Sequence, residues 1–157
     1  MKNLIFEEQE VSHMFMDDIN AIDFTMVKMK IQDKEDGLGW TEQQADDAII
    51  EYKRFLALKR TYPHKDIVPH KAIDDFWHQH ILDTQKYADD CEIIFGYFLH
   101  HYPYFGIKDE QDKQDLVDAF EETKVLFSQH FGIEYTGFAK KCKPKNCRTA
   151  CKPVKCK

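Results

Sequence analysis

The chain has 157 residues and a mass of 18.7 kDa, the size of one compact domain with room for a hydrophobic core. Its 43% hydrophobic and 32% charged residues exclude collagen-like and wholly disordered classes, and no apolar run reaches the ~18 residues of a bilayer span. The net charge of −6 divides unevenly: residues 137–157 carry eight Lys or Arg and no acid, leaving 14 basic against 28 acidic side chains in residues 1–136. An acidic body argues against nucleic acid as its partner, because phosphate binding needs a basic face. The basic tail suits an acidic protein partner. At the N-terminus, the apolar start of Met1-Lys2-Asn3-Leu4-Ile5-Phe6 turns acidic before a signal-peptide core can form, so a cytoplasmic protein with no membrane partner is expected.

The first predicted helix follows Ser12, where Phe15, Ile19, Ile22, Met26 and Met29 recur in alternating steps of four and three, and it ends near Asp33. Asp36-Gly37-Leu38-Gly39 reads as a turn. Thr41 and Gln44 then supply a capping box for a second helix, whose apolar face is Ala45, Ala48, Ile49, Tyr52, Phe55 and Leu56. That helix must stop before Pro63, and residues 61–70 form an extended connector. A third helix starts near Lys71 and runs through Phe76, Trp77, Ile81, Tyr87, Ile94, Phe95 and Leu99 until Pro103 and Gly106 end it. A fourth, Gln111 to Phe131, is marked by Leu116, Phe120, Phe127 and Phe131. Nothing alternates with period two for long enough to require a sheet. The expectation is an all-α body, residues 1–136, built as a compact bundle of about four principal helices, followed by a short irregular Cys-rich tail, residues 137–157.

The chemistry concentrates in Asp74-Asp75-Phe76-Trp77-His78-Gln79-His80-Ile81-Leu82-Asp83-Thr84 and in His100-His101. At about 100° per residue from Asp74, the apolar side chains Phe76, Trp77, Tyr87, Cys91 and Phe95 fall between about 200° and 300°. His80, near about 240°, lies inside that stripe; His78, near about 40°, lies beside Asp74 four residues earlier. In a regular helix His78 and His80 therefore point apart and cannot share one ion. His80 can join Asp83 or Thr84, and Asp74 can pair with His78. Either pair needs ligands from elsewhere, and His100 and His101 are the obvious donors. About 20 residues of unbroken helix would hold these roughly 30 Å from His80, so a shared site requires a break near Asp89-Asp90 or Gly96. Imidazole suits Zn, Fe, Cu or Ni, and carboxylate partners shift the choice toward Fe or Mn. The alternative is a neutral core histidine at position 80, bonded to a buried carbonyl or Tyr87, with His100 and His101 as ordinary helix-terminal residues.

Gly39-Trp40-Thr41, Asp75-Phe76-Trp77-His78-Gln79-His80, Tyr87, Asp90-Cys91, Gly96 and His100-His101-Tyr102-Pro103 together resemble the glycine-rich domain-containing protein-like family over roughly residues 38–132. The resemblance implies that Trp77, His78, His80, Tyr87, Cys91, Gly96, His100 and His101 are the positions that define the domain. It implies no reaction. The long glycine-rich region of that family is lacking, so functions assigned to glycine-rich repeats do not carry over.

The tail reads C-x4-C-x3-C-x4-C at Cys142, Cys147, Cys151 and Cys156, a spacing unlike the standard zinc motifs. Four thiols among eight cations favour thiolate, which suits a soft metal; a solvated basic arm and two disulfides are the alternatives. The leading expectation is a small metal-binding helical protein, open to being an enzyme. Its transition metal (Zn, Fe or Cu) is held by His78, His80, His100, His101 and Asp83, with Asp74 or Asp83 available as ligand or proton acceptor, and a second candidate set lies in the tail cysteines. The rival is a noncatalytic interaction module with structural histidines, whose basic tail binds an acidic partner or a soft metal.

Overall fold

The computed structural model describes residues 16–135, and among these every regular element is a helix: α1 (Asp17–Asn20), α2 (Thr25–Gln32), α3 (Glu42–Thr61), α4 (Lys71–Leu82), α5 (Thr84–Phe95) and α6 (Glu110–Phe131). The all-helical reading holds, but six helices stand where about four were expected, because two predicted helices are broken. The predicted boundary at 136 and the tail cysteines lie outside the described residues. Among the described residues no helix is long and apolar enough to cross a membrane.

The first predicted helix divides at residues 21–24. Asp23 Oδ1 accepts from Thr25 N at 2.9 Å and from Thr25 Oγ1 at 2.6 Å, offering the backbone a local alternative to helix. The interruption resets the helical phase. Ile19 and Ile22 are buried as the stripe requires, yet Met26 and Met29 are 66% and 59% exposed while Val27 and Ile31 take the core positions.

The second break falls at Asp83, six or more residues before the expected place. Its backbone (φ −82°, ψ 76°) leaves the helix, and its carboxylate accepts from Lys86 N at 3.3 Å as the cap of α5. Helix α5 then turns back on α4. Trp77 and Tyr87, ten residues apart, would lie about 15 Å apart along one helix; here the indole N–H donates to the Tyr87 hydroxyl at 2.9 Å. Gly96 ends α5 in the left-handed region (φ 71°), so α5 stops well short of Pro103.

Helix α3 runs through the middle of the core. Its capping box is formed as the sequence indicates, with Gln44 N donating to Thr41 Oγ1 at 3.2 Å and Thr41 N to Gln44 Oε1 at 3.0 Å. Ala45, Ala48, Tyr52, Phe55 and Leu56 are buried against α2, α4 and α5. The 61–70 connector is fastened to α6 and the segment after it: Val68 N donates to Thr123 Oγ1 at 3.0 Å, and Tyr135 OH donates to Val68 O at 2.9 Å.

One polar chain crosses the core. His80, 1% exposed, has both ring nitrogens engaged: Nε2 lies 2.7 Å from Asp90 Oδ2 and Nδ1 lies 2.7 Å from Tyr52 OH. A carboxylate only accepts, so Nε2–H donates to Asp90, and in the neutral ring Nδ1 accepts from the Tyr52 hydroxyl. Lys86 Nζ, 3.0 Å from Asp90 Oδ2, supplies the counter-charge. Burial lowers the His80 pKa from its ordinary value of 6.5 in spite of Asp90, which keeps the imidazole neutral.

Tyr52→Phe leaves His80 Nδ1 without its donor and is expected to cost about 1–3 kcal/mol in urea unfolding. For pH the sign follows from the lowered value. The unfolded chain takes a proton on His80 near pH 6.5 and the folded chain only at lower pH, so stability complete above pH 6.5 is lost as pH falls from there toward the folded value. Urea midpoints at pH 8 and pH 5.5 should differ in this sense, and the difference should shrink in His80→Gln; an unchanged difference would refute this assignment.

Candidate metal centre

Helix α4 begins at a fixed point. His70, in extended backbone, accepts from Ile73 N on Nδ1 at 3.3 Å and so donates through Nε2 to the Glu51 carboxylate of α3. One turn on, Asp74 and His78 stand at i and i+4 on the partly exposed face of α4, with His78 Nε2 3.5 Å from Asp74 Oδ1. Trp77 and His80 occupy the buried face.

The third group arrives through the Tyr87 hydroxyl. It accepts from Trp77 Nε1 and donates to Leu99 O at 2.5 Å, pinning the chain that leaves α5 over the indole. His101 lies on Trp77, with ring centroids 4.2 Å apart and planes 34° apart. Its Nε2 falls 2.9 Å from Asp74 Oδ1 and 3.0 Å from His78 Nε2. The far end of the same loop is held at Gly106 (φ 86°), where an added Cβ would meet Leu116 Cδ2 at 2.4 Å. There the Gly106 and Lys108 amides both donate to Asp112 Oδ2, at 2.8 and 3.1 Å.

Three ligand atoms thus converge, all within 4.8 Å of one another. Two donors each about 2.1 Å from a common ion, subtending about 90–109°, are separated by about 3.0–3.4 Å, and the three observed separations fall close to that range. Hydrogen bonds within the cluster leave one group to solvent, which half-exposed His78 can reach. If only one imidazole carries a proton on Nε2, a lone pair is left facing the carboxylate or the other ring; if both do, two N–H groups oppose each other at 3.0 Å. A cation between them satisfies all three lone pairs.

The centre opens on a cleft of about 460 Å³, bounded by the 66–69 connector, the 100–105 loop, Trp77 and Leu116. That size suits a small-molecule ligand.

The residues picked out in the sequence are therefore distributed over several places. His78 and His101 meet, with Asp74 as the carboxylate. His80 is 1% exposed and bonded on both nitrogens within the core. Asp83 is exposed and caps α5. His100, also exposed, lines the cleft with its ring 5.0 Å from that of Phe98. The i, i+4 spacing marks Asp74 as the partner of His78. Lys59, on the last turn of α3, also lines the cleft and had no signal in the sequence beyond its charge.

A family model described as UCP032817-like matches residues 17–122, which include Asp74, His78 and His101. The chain belongs to the UCP032817-like family. This corrects the resemblance to the glycine-rich domain-containing protein-like family: the W-H-x-H block and the His100-His101 pair that carried it lie inside the UCP032817-like match. No curated protein and no solved structure matches the chain.

Tyr87→Phe removes the hydroxyl that joins Trp77 to Leu99. Amide hydrogen exchange over residues 97–101 should quicken more than exchange within α3, and stability should fall by about 1–3 kcal/mol. Equal acceleration in both segments would show that the hydroxyl supports the whole fold and not the loop in particular.

Proposed function

We propose that this chain binds a divalent transition metal through Asp74 Oδ1, His78 Nε2 and His101 Nε2, with the remaining coordination positions facing the cleft. The convergence of these three atoms, at separations close to those of donors around one ion, is the observation that supports the reading. Two imidazoles and one carboxylate suit Zn or Fe, with Cu as a third candidate. Three protein ligands on one side leave room for water or another small ligand, which is the arrangement of catalytic more than structural sites. When bound, the ion supplies Lewis acidity to whatever shares its open positions. Trp77, 3% exposed, backs His101 and keeps water from that side.

The interaction-module reading has its own supporting observation: Tyr102, Tyr104 and Ile107 are 66%, 58% and 59% exposed on one loop. The tail thiols Cys142, Cys147, Cys151 and Cys156 are a second proposed metal set, separable from the first by mutation. The full-length chain with all four replaced by serine is the right background for zinc titration and elemental analysis. About one ion per chain is expected there. His101→Ala and Asp74→Asn should each weaken binding by at least about tenfold, and His100→Ala should leave it unchanged. Metal lost with the thiols would reassign binding to the tail. Absence of metal from both proteins would favour the interaction module.

A further inference from the structure

Among the described residues, the cleft beside the centre is lined by one ammonium group, that of Lys59. It lies over two aromatic rings, 5.9 Å from the centroid of Trp77 and 5.9 Å from that of Phe55. Among the described residues Lys59 forms no ion pair with a carboxylate. Asp66, on the cleft wall, attracts it only through space, and burial pushes its pKa below the ordinary lysine value. A half-buried cation on an aromatic bed, opening on a cavity and with no carboxylate in ion-pair contact among the described residues, is stabilised by an anion that enters. Trp77 carries Lys59 and His101 alike, so the ammonium and the candidate centre share one indole. The rest of the wall is largely apolar, with Ile67, Val68, Pro69, Phe105 and Leu116 prominent. Asp66 and Asp74 stand against a dianion such as phosphate.

Resting on the proposed metal site, we infer that the cleft takes a small amphipathic monocarboxylate. Its carboxylate pairs with Lys59, its apolar body lies along Trp77 and the 67–69 wall, and its other end points toward Asp74, His78 and His101. The pairing exchanges a poorly solvated ammonium for a charge-assisted hydrogen bond, and the apolar body displaces water from the indole and Val68.

The test is calorimetric titration of the full-length chain, zinc-loaded and metal-free, with hexanoate and with hexanamide as its neutral counterpart. Lys59→Met keeps the packing on Trp77 and Phe55, Lys59→Arg keeps the charge, and circular dichroism checks that both fold. Hexanoate should bind, weaken by at least about tenfold in Lys59→Met and stay within about threefold in Lys59→Arg; hexanamide should bind at least about tenfold more weakly than hexanoate and ignore both substitutions. Equal hexanoate binding by wild type and Lys59→Met, equal binding of the amide, or no binding of hexanoate would overturn the inference. The two readings fail separately. A chain that takes no zinc but holds hexanoate through Lys59 loses the metal centre and keeps the carboxylate anchor. A chain that takes zinc but binds hexanoate without regard to Lys59 keeps the centre and loses the anchor.

Discussion

The Tyr87 hydroxyl is the joint on which the candidate site depends. It accepts from the Trp77 indole and donates to the Leu99 carbonyl, joining the buried face of α4 to the first residues beyond α5. The first bond is buried and the second partly buried, so each is expensive to leave unmade. The first cannot form unless the helix breaks at Asp83, because an unbroken helix would hold Trp77 and Tyr87 on separate turns; the second needs α5 to end at Gly96. The corner and the hydroxyl therefore depend on each other, and His101 reaches Asp74 and His78 only when both are in place.

The histidines of this chain show how environment, and not spacing alone, decides what an imidazole can do. His80 and His78 are two residues apart on α4, yet the first is dry, neutral and bonded on both nitrogens, while the second is half exposed and faces ligand atoms. His70 is a third case: it caps a helix through one nitrogen and anchors Glu51 through the other. His78 and His101, by contrast, turn Nε2 toward Asp74 and toward each other.

Much of this was legible in the residues. The capping box at Thr41, the apolar face of α3, the opposition of His78 and His80 and the pairing of His78 with Asp74 all follow from helical periodicity and local hydrogen bonding. The two breaks were not, for a common reason. Asp23 and Asp83 each turn a side chain onto an amide of the helix that follows, and apolar periodicity continues past both without registering it. Gly96 was a visible stop signal, and the run of aromatics beyond it made a longer helix look continuous. His101 was recognisable as a donor, but its arrival over Trp77 depends on Tyr87, a contact between residues whose sequence separation says nothing of their meeting. Lys59 carries no local signature, because its interest comes from aromatic neighbours on its own helix and on α4.

The loop that carries His101 is fastened near its two ends, and between them His101 is held by Trp77, Asp74 and His78. Leu99 is held by Tyr87, while Gly106 and Lys108 share the Asp112 carboxylate. Between those anchors Tyr102, Pro103 and Tyr104 lie exposed. Lifting such a span from the cleft would break the contacts of His101 with Trp77, Asp74 and His78 but none of the hydrogen bonds within the helices at either side. An ion shared between His101 and α4 would act on that motion as a removable crosslink, closing a loop of 27 residues between Asp74 and His101. Occupancy of the centre and accessibility of the cleft would then be two readings of a single equilibrium.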